Sequence, residues 1–129
     1  MINSGILNPQ ILSLLARVRH TNALVIAYRG FPFWPQIETV DISLVDDLPT
    51  VLDVLRALRP NFVIGKAWMA QEFLGANDKK MQAAFTEALK GISLVHEPHV
   101  EFKKRVPPAI GLIRTGDTTH YGNLILESA

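Results

Sequence analysis

A single three-layer α/β/α domain built on a mostly parallel, mixed sheet is the fold class this sequence predicts. Three observations predict it. Short runs that are apolar on every side alternate with segments of helical periodicity. The punctuation between them is single Pro, Gly and Asn residues rather than long linkers. Nearly half of the chain is apolar, 48%, against 19% charged, which supports a sizeable core in 129 residues.

The elements follow in order. Asn8 before Pro9 is an N-cap followed by proline at the first helical position, and Ile11, Leu14, Leu15 and Val18 recur at helical spacing, so a first helix is expected to end near His20. Ala23 to Ala27 is short and apolar on both faces, as a strand covered on both sides would be. Ile37 to Ile42 alternates weakly and reads as a second strand. A helix is expected to start at Asp47, Leu48 and Pro49 and to bury Val51, Leu52, Leu55 and Leu58. Phe62 to Ile64 reads as a strand core. Met81, Ala84, Phe85, Ala88 and Leu89 form the stripe of a later helix that Gly91 stops, and two strands are expected at Ala109 to Ile113 and Asn123 to Leu126. Helices alternating with buried strands imply crossovers and a largely parallel sheet, with residues 1–129 as one domain.

Composition narrows function by exclusion. A net charge of +1 creates no field that would favour nucleic acid or an anionic membrane. No run reaches the length of a membrane span, and the opening residues carry no basic segment leading into a long apolar one. The absence of cysteine removes disulfides, thiolate metal sites and cysteine nucleophiles, and a cytoplasmic location is the expectation. Phosphate-cradling glycine motifs, HExxH and GxSxG are absent.

In open sheets of this class ligands bind beyond the carboxyl ends of the strands. The loop after the first predicted strand, Tyr28 to Pro35, is polar and then aromatic. Phe31, Phe33 and Trp34 either pack on the core or another subunit, the commoner use of such residues, or stack on the apolar face of a ligand such as a sugar. Each of the four histidines carries two readings. His20, between the first helix and strand, suits either a helix C-terminus or proton transfer. His96 and His99 have a spacing compatible with a metal, but no third ligand completes a recognisable set, so no metal is expected. His120 lies in the polar run Arg114 to Asn123, which is either a well-made turn or a polyol-binding loop.

Gly5 to Asn8, His20, Thr21 and Val25 to Ala27 open a pattern that continues through Val40 to Leu44 and Leu48, Pro49. It runs on through His99, Glu101, Phe102, Lys103 and Ile113 to Gly116, and closes on Tyr121, Gly122, Asn123. In order and spacing these pieces resemble the D-ribose pyranase and L-fucose mutarotase family over nearly the whole chain, with the pyranases nearer through the middle and the mutarotases nearer at the final triplet. The resemblance implies a cofactor-independent isomerase that opens the cyclic hemiacetal of a free monosaccharide and recloses it as another ring form or anomer. It also implies a homodecamer of two stacked pentamers with sites between subunits. By the same resemblance His20 corresponds to the proton donor, His99, Tyr121 and Asn123 to sugar-binding residues, and Lys103 lies nearby. The chemistry suits these residue types: opening needs a proton delivered to the ring oxygen and another withdrawn from the anomeric hydroxyl, and histidines do both near neutrality.

Two positions depart from the family. Tyr28 stands where the family carries an aspartate that binds sugar and favours a protonated histidine; a neutral phenol does less for an imidazolium. Lys66, Ala67, Trp68 and Met69 replace an acidic stretch. The departure at Tyr28 supports two expectations: altered or weakened sugar turnover, or a sugar-binding or regulatory ring that has lost catalysis.

Overall fold

The computed structural model describes residues 1–3 and 5–129. Helix α1 (Pro9–Arg17) begins as expected, with Asn8 Oδ1 accepting the Ile11 N–H at 3.0 Å and Ile11 and Leu14 buried. It stops short of His20 because Val18 is extended, its N–H donating to Leu15 O. Strand β1 (Ala23–Ala27) has the predicted bounds, and β2 (Glu38–Asp41) lies within its predicted run.

Helix α2 (Val51–Leu58) begins later than Pro49. Asp47 cannot serve as its cap, because its Oδ1 already accepts the Thr118 N–H at 2.9 Å and the Thr118 hydroxyl at 2.8 Å. Thr50 takes that role in a reciprocal capping box with Asp53. Gly116 is the glycine the local chain crossing demands: a Cβ there would lie 2.2 Å from Val45 O. A single 3-10 turn (Arg59–Asn61) follows α2.

Strand β3 (Ile64–Ala70) corrects the expectation of a strand at Phe62. Gly65 and Lys66 interrupt its apolar pattern at a register shift, and its buried part is Ala67 to Ala70. Helices α3 (Glu72–Ala76) and α4 (Lys79–Ala88) come next, and the chain turns at Gly91, whose φ is +82°. Three short elements were not foreseen: α3, β4 (Ser93–Glu97) and α5 (His99–Lys104). Strands β5 (Gly111–Arg114) and β6 (Leu124–Ser128) complete the chain.

The six strands form one sheet in the order β2-β5-β1-β6-β3-β4. β6 alone runs antiparallel, pairing Val25 with Ile125 on one side and Trp68 with Ile125 on the other. Alternation with period two divides the core between the faces. Leu24, Ile26, Met69, Ile113, Leu124 and Leu126 pack with side chains of α1 to α4. Val25, Ala27, Trp68, Leu112 and Ile125 pack with Phe31, Phe102 of α5 and Val106. The sheet is thus covered on both sides, more heavily on the first. No helix among the described residues is long and apolar enough to cross a membrane.

Candidate functional site

Because β6 is antiparallel, its amino end lies at the same edge as the carboxyl ends of β1, β3, β4 and β5. That topology gathers residues far apart in sequence. Tyr28 follows β1, His99 opens α5 just beyond β4, and Tyr121 and Asn123 precede β6. Together with Gly30, Phe31, Pro32 and His120 they line a cavity of about 300 Å3, at the small end of ligand pockets.

Asn123 is the hinge of this cavity. It is 1% exposed, and its Oδ1 accepts the Tyr28 N–H at 2.8 Å, tying the loop after β1 to the turn before β6. Its Nδ2 is buried with no hydrogen-bond partner among the described residues. His99 Nδ1 is in the same condition. A buried polar group left unpaired costs about 1–3 kcal/mol; Trp34 Nε1 and Thr39 Oγ1 are also unpartnered among the described residues, but only Asn123 and His99 belong to the lining of one cavity, which makes that cavity the candidate for a polar ligand.

The His99 ring stacks on Phe102, with centroids 5.9 Å apart, and meets the edge of Tyr121 at 5.1 Å. Burial lowers the His99 pKa, the Lys103 ammonium lowers it further, and the Glu72 carboxylate opposes both. The imidazole is therefore held neutral, able to accept a proton as well as a hydrogen bond. Lys103 acts on the site through its charge and does not line the cavity. Tyr121 adopts φ 57°, and Gly122 N–H closes its turn on Thr119 O at 3.1 Å. The Tyr28 phenol end lies against Gly30, where a Cβ would come to 2.8 Å from the phenol oxygen.

The polar run 114–123 is mostly scaffold. Thr115 Oγ1 donates to Ala27 O at 2.8 Å, and buried Asp117 accepts the Val51 N–H at 2.8 Å and the Thr119 N–H at 2.8 Å. Only its end, His120 to Asn123, reaches the cavity. Of the aromatic loop, Phe31 is buried edge-on against Phe102 and lines the cavity, Trp34 is half-buried beside it, and Phe33 is exposed away from it. Core packing thus accounts for Phe31 and Trp34. No group of three His, Cys, Asp or Glu is gathered for a metal among the described residues.

His20 is not part of this cavity. It precedes β1, at the opposite edge of the sheet, where Thr21 N–H donates to Ser128 O at the end of β6. The five residues of β1 separate Asn22 from Tyr28, about 20 Å of chain at strand rise. A larger cavity of about 430 Å3 lies near that edge, against α5, lined by Thr21, Asn22, Trp68, Glu97 and Arg105 among others. Four of its charges are paired: Arg105 is held by Glu97 over the Trp68 ring, 4.5 Å from its centroid, and Lys104 meets Glu101 at 3.0 Å. No unpartnered buried polar atom among the described residues opens into it, so the smaller cavity is the better candidate.

Burial lowers the pKa of His96 as well as that of His99. In the unfolded chain both imidazoles take up protons as pH falls through about 6.5, whereas the folded chain holds them neutral to lower pH. The unfolded state then binds more protons, so this contribution leaves stability intact above about pH 6.5 and lowers it below. The melting temperature is expected to fall between pH 7.5 and 5.5, and less steeply in His96→Gln. Parallel profiles for the two proteins would contradict this.

Comparison with known proteins closes the case for kinship. The model of the RbsD / FucU transport protein family matches residues 1–129. The D-ribose pyranase of Laribacter hongkongensis is 35% identical over 128 residues, covering 99% of this chain and 97% of the relative. That of Chromobacterium violaceum is 38% identical over the same length and coverage. The structure of Bacillus subtilis RbsD complexed with D-ribose superposes with a TM-score of 0.93 at 30% identity, over 100% of this chain and 98% of the other. Sequence kinship and shared fold thus coincide along the whole described length, and the chain belongs to the RbsD / FucU family.

Proposed function

We propose that this protein interconverts ring forms or anomers of a free monosaccharide such as D-ribose or L-fucose, without a cofactor, by acid and base opening of the hemiacetal. The observation that carries this reading is the pair of buried, unpartnered polar atoms, Asn123 Nδ2 and His99 Nδ1, in a cavity of monosaccharide scale at the carboxyl edge of the sheet. The neutral amide donor suits a sugar hydroxyl. A neutral His99 suits the anomeric O–H, from which a proton must leave. Tyr28 and Tyr121 supply further hydroxyl groups and apolar ring faces. The structure of the relative complexed with D-ribose supports a sugar as the occupant.

Besides His99 the cavity holds the imidazole of His120, but the family resemblance gives proton donation to His20, which lies at the other edge of the sheet, before the start of β1. A second copy of the chain supplies His20 in this reading: the His20 edge of one subunit docks against the cavity edge of the next. Joining unlike surfaces in this way closes rings, in keeping with a decamer of two pentameric rings. In the resulting site His20 delivers a proton to the ring oxygen while His99 relieves the anomeric hydroxyl of its own. Rotation about the opened chain and reclosure with the proton roles reversed complete the cycle. Positioned acid and base groups contribute about 10²–10⁴-fold each, enough for a reaction that already proceeds slowly in water.

The test is NMR exchange spectroscopy on equilibrated D-ribose and L-fucose with and without protein. Enhanced exchange for one sugar, absent in His20→Ala, is the expected result. No enhancement for any free sugar by a folded, sugar-binding protein would refute catalysis. That outcome would favour the second reading, a non-catalytic sugar-binding or regulatory ring, for which the specific observation is Tyr28: no carboxylate among the described residues lines the cavity. Tyr28→Asp is expected to raise ribose or fucose turnover if the phenol weakens proton transfer; unchanged turnover would count against that role for Tyr28.

A further inference from the structure

The short helix α3 touches both walls of the cavity and lines neither. At its start, both oxygens of the Glu72 carboxylate accept the backbone N–H of His99, at 3.0 and 3.1 Å. At its end, Asn77 Nδ2 donates to His120 O at 2.9 Å and to Phe73 O at 2.9 Å. Gln82 Nε2 of α4 in turn donates to Asn77 O at 3.0 Å and to Leu74 O at 2.9 Å, fastening the end of α3. Phe73, 1% exposed, anchors the middle against Phe85 with ring centroids 4.8 Å apart. Helix α3 is therefore anchored to the core through Phe73 and fastened at its end by Gln82.

We infer that α3 is a positioning bracket for the sugar site: Glu72 fixes where α5 begins and so where the His99 imidazole stands, while Asn77 fixes the turn that carries His120 and Tyr121. Two features of the geometry support this. The first amide of a helix has no partner within the helix, and α5 has no side-chain cap of its own, since Pro98 precedes it. Glu72 supplies the missing acceptor from a distant element, so the start of α5 is set by α3 rather than by its own sequence. The same carboxylate is the negative charge that acts on the His99 ring, against the Lys103 ammonium. The other titratable groups lining the cavity with His99 are Tyr28, His120 and Tyr121.

This inference rests on the proposed sugar site, but its test does not depend on turnover. In the full chain without sugar, the His99 ring resonances and their pH titration are followed by NMR in wild type, Glu72→Gln and Glu72→Ala. Glu72→Gln keeps one acceptor oxygen and removes the charge, so the ring environment is expected to be retained while His99 titrates at lower pH. Glu72→Ala is expected to move the ring resonances as well, and to lower kcat/KM for the responsive sugar by up to about 100-fold, the effect of misplacing a reacting group by about 1 Å. Asn77→Ala is expected to move the Tyr121 and His120 resonances. Glu72→Ala with unmoved His99 resonances would overturn the inference whether or not the protein turns over sugar. Should that variant fail to fold, unmoved His120 and Tyr121 resonances in Asn77→Ala would overturn it equally.

Discussion

His20→Ala is expected to lower sugar ring exchange by about 10²–10⁴-fold, the worth of one positioned proton-transfer group, while the protein folds and melts as wild type does. The separation of the two effects follows from where His20 sits. Its side chain is exposed, and only its backbone carbonyl is engaged, by the Thr21 hydroxyl at 2.6 Å. Nothing in the core depends on the imidazole. If turnover survived the substitution, the ring would have no part in the chemistry, and a second proton carrier would have to be sought among groups already lining the cavity, of which His120 is the candidate.

Asn123→Ala is expected to act in the opposite way, on stability and on sugar affinity together. The buried amide ties Tyr28 N–H to the turn before β6, and its loss strands that N–H; a cost of about 1–3 kcal/mol follows, read as a lower midpoint in urea unfolding. The unpartnered Nδ2 donor of this cavity-lining residue disappears at the same time, so sugar binding is expected to weaken by up to about tenfold, the worth of one hydrogen bond to a neutral partner. Titration calorimetry with the responsive sugar checks this arm. Unchanged affinity would mean that Asn123 serves only the fold and that the orphaned amide marks no sugar site.

The legible parts of the molecule were those with a local cause. Asn8 and Pro9 announce α1 through capping, and the run Ala23 to Ala27 announces β1 because both of its faces are buried. Where the cause is distant the sequence is silent. Gly65 and Lys66 hide β3, because the apolar residues that mark it begin only at Ala67. Helix α5 carries no start signal of its own, since its first amide is satisfied by Glu72 from another element. The same distinction runs through the site. The aromatic loop and the polar run were visible as candidate ligand loops, each with a structural alternative, but the meeting of Tyr28 with Asn123 depends on β6 inserting antiparallel beside β1, and strand order leaves no local trace. Resemblance to a known family carried His20, His99, Tyr121 and Asn123 further than spacing could. It did not reveal that His20 and the other three lie at opposite edges of one sheet.

That division of the machinery between two edges is the central claim, and mixing two inactive variants tests it most directly. His20→Ala keeps an intact His99 and His99→Ala keeps an intact His20, and each lacks one of the two proton-transfer groups. If each site takes His20 from one copy and the cavity from its neighbour, unfolding and refolding the two variants together in equal amounts restores about a quarter of the wild-type sites, by random assortment around a ring. Recovery of ring exchange to about that level, with neither variant active alone, is the result this account predicts. A refolded mixture that assembles as wild type does yet stays as inactive as its components would contradict it, and would place all of the chemistry within one chain.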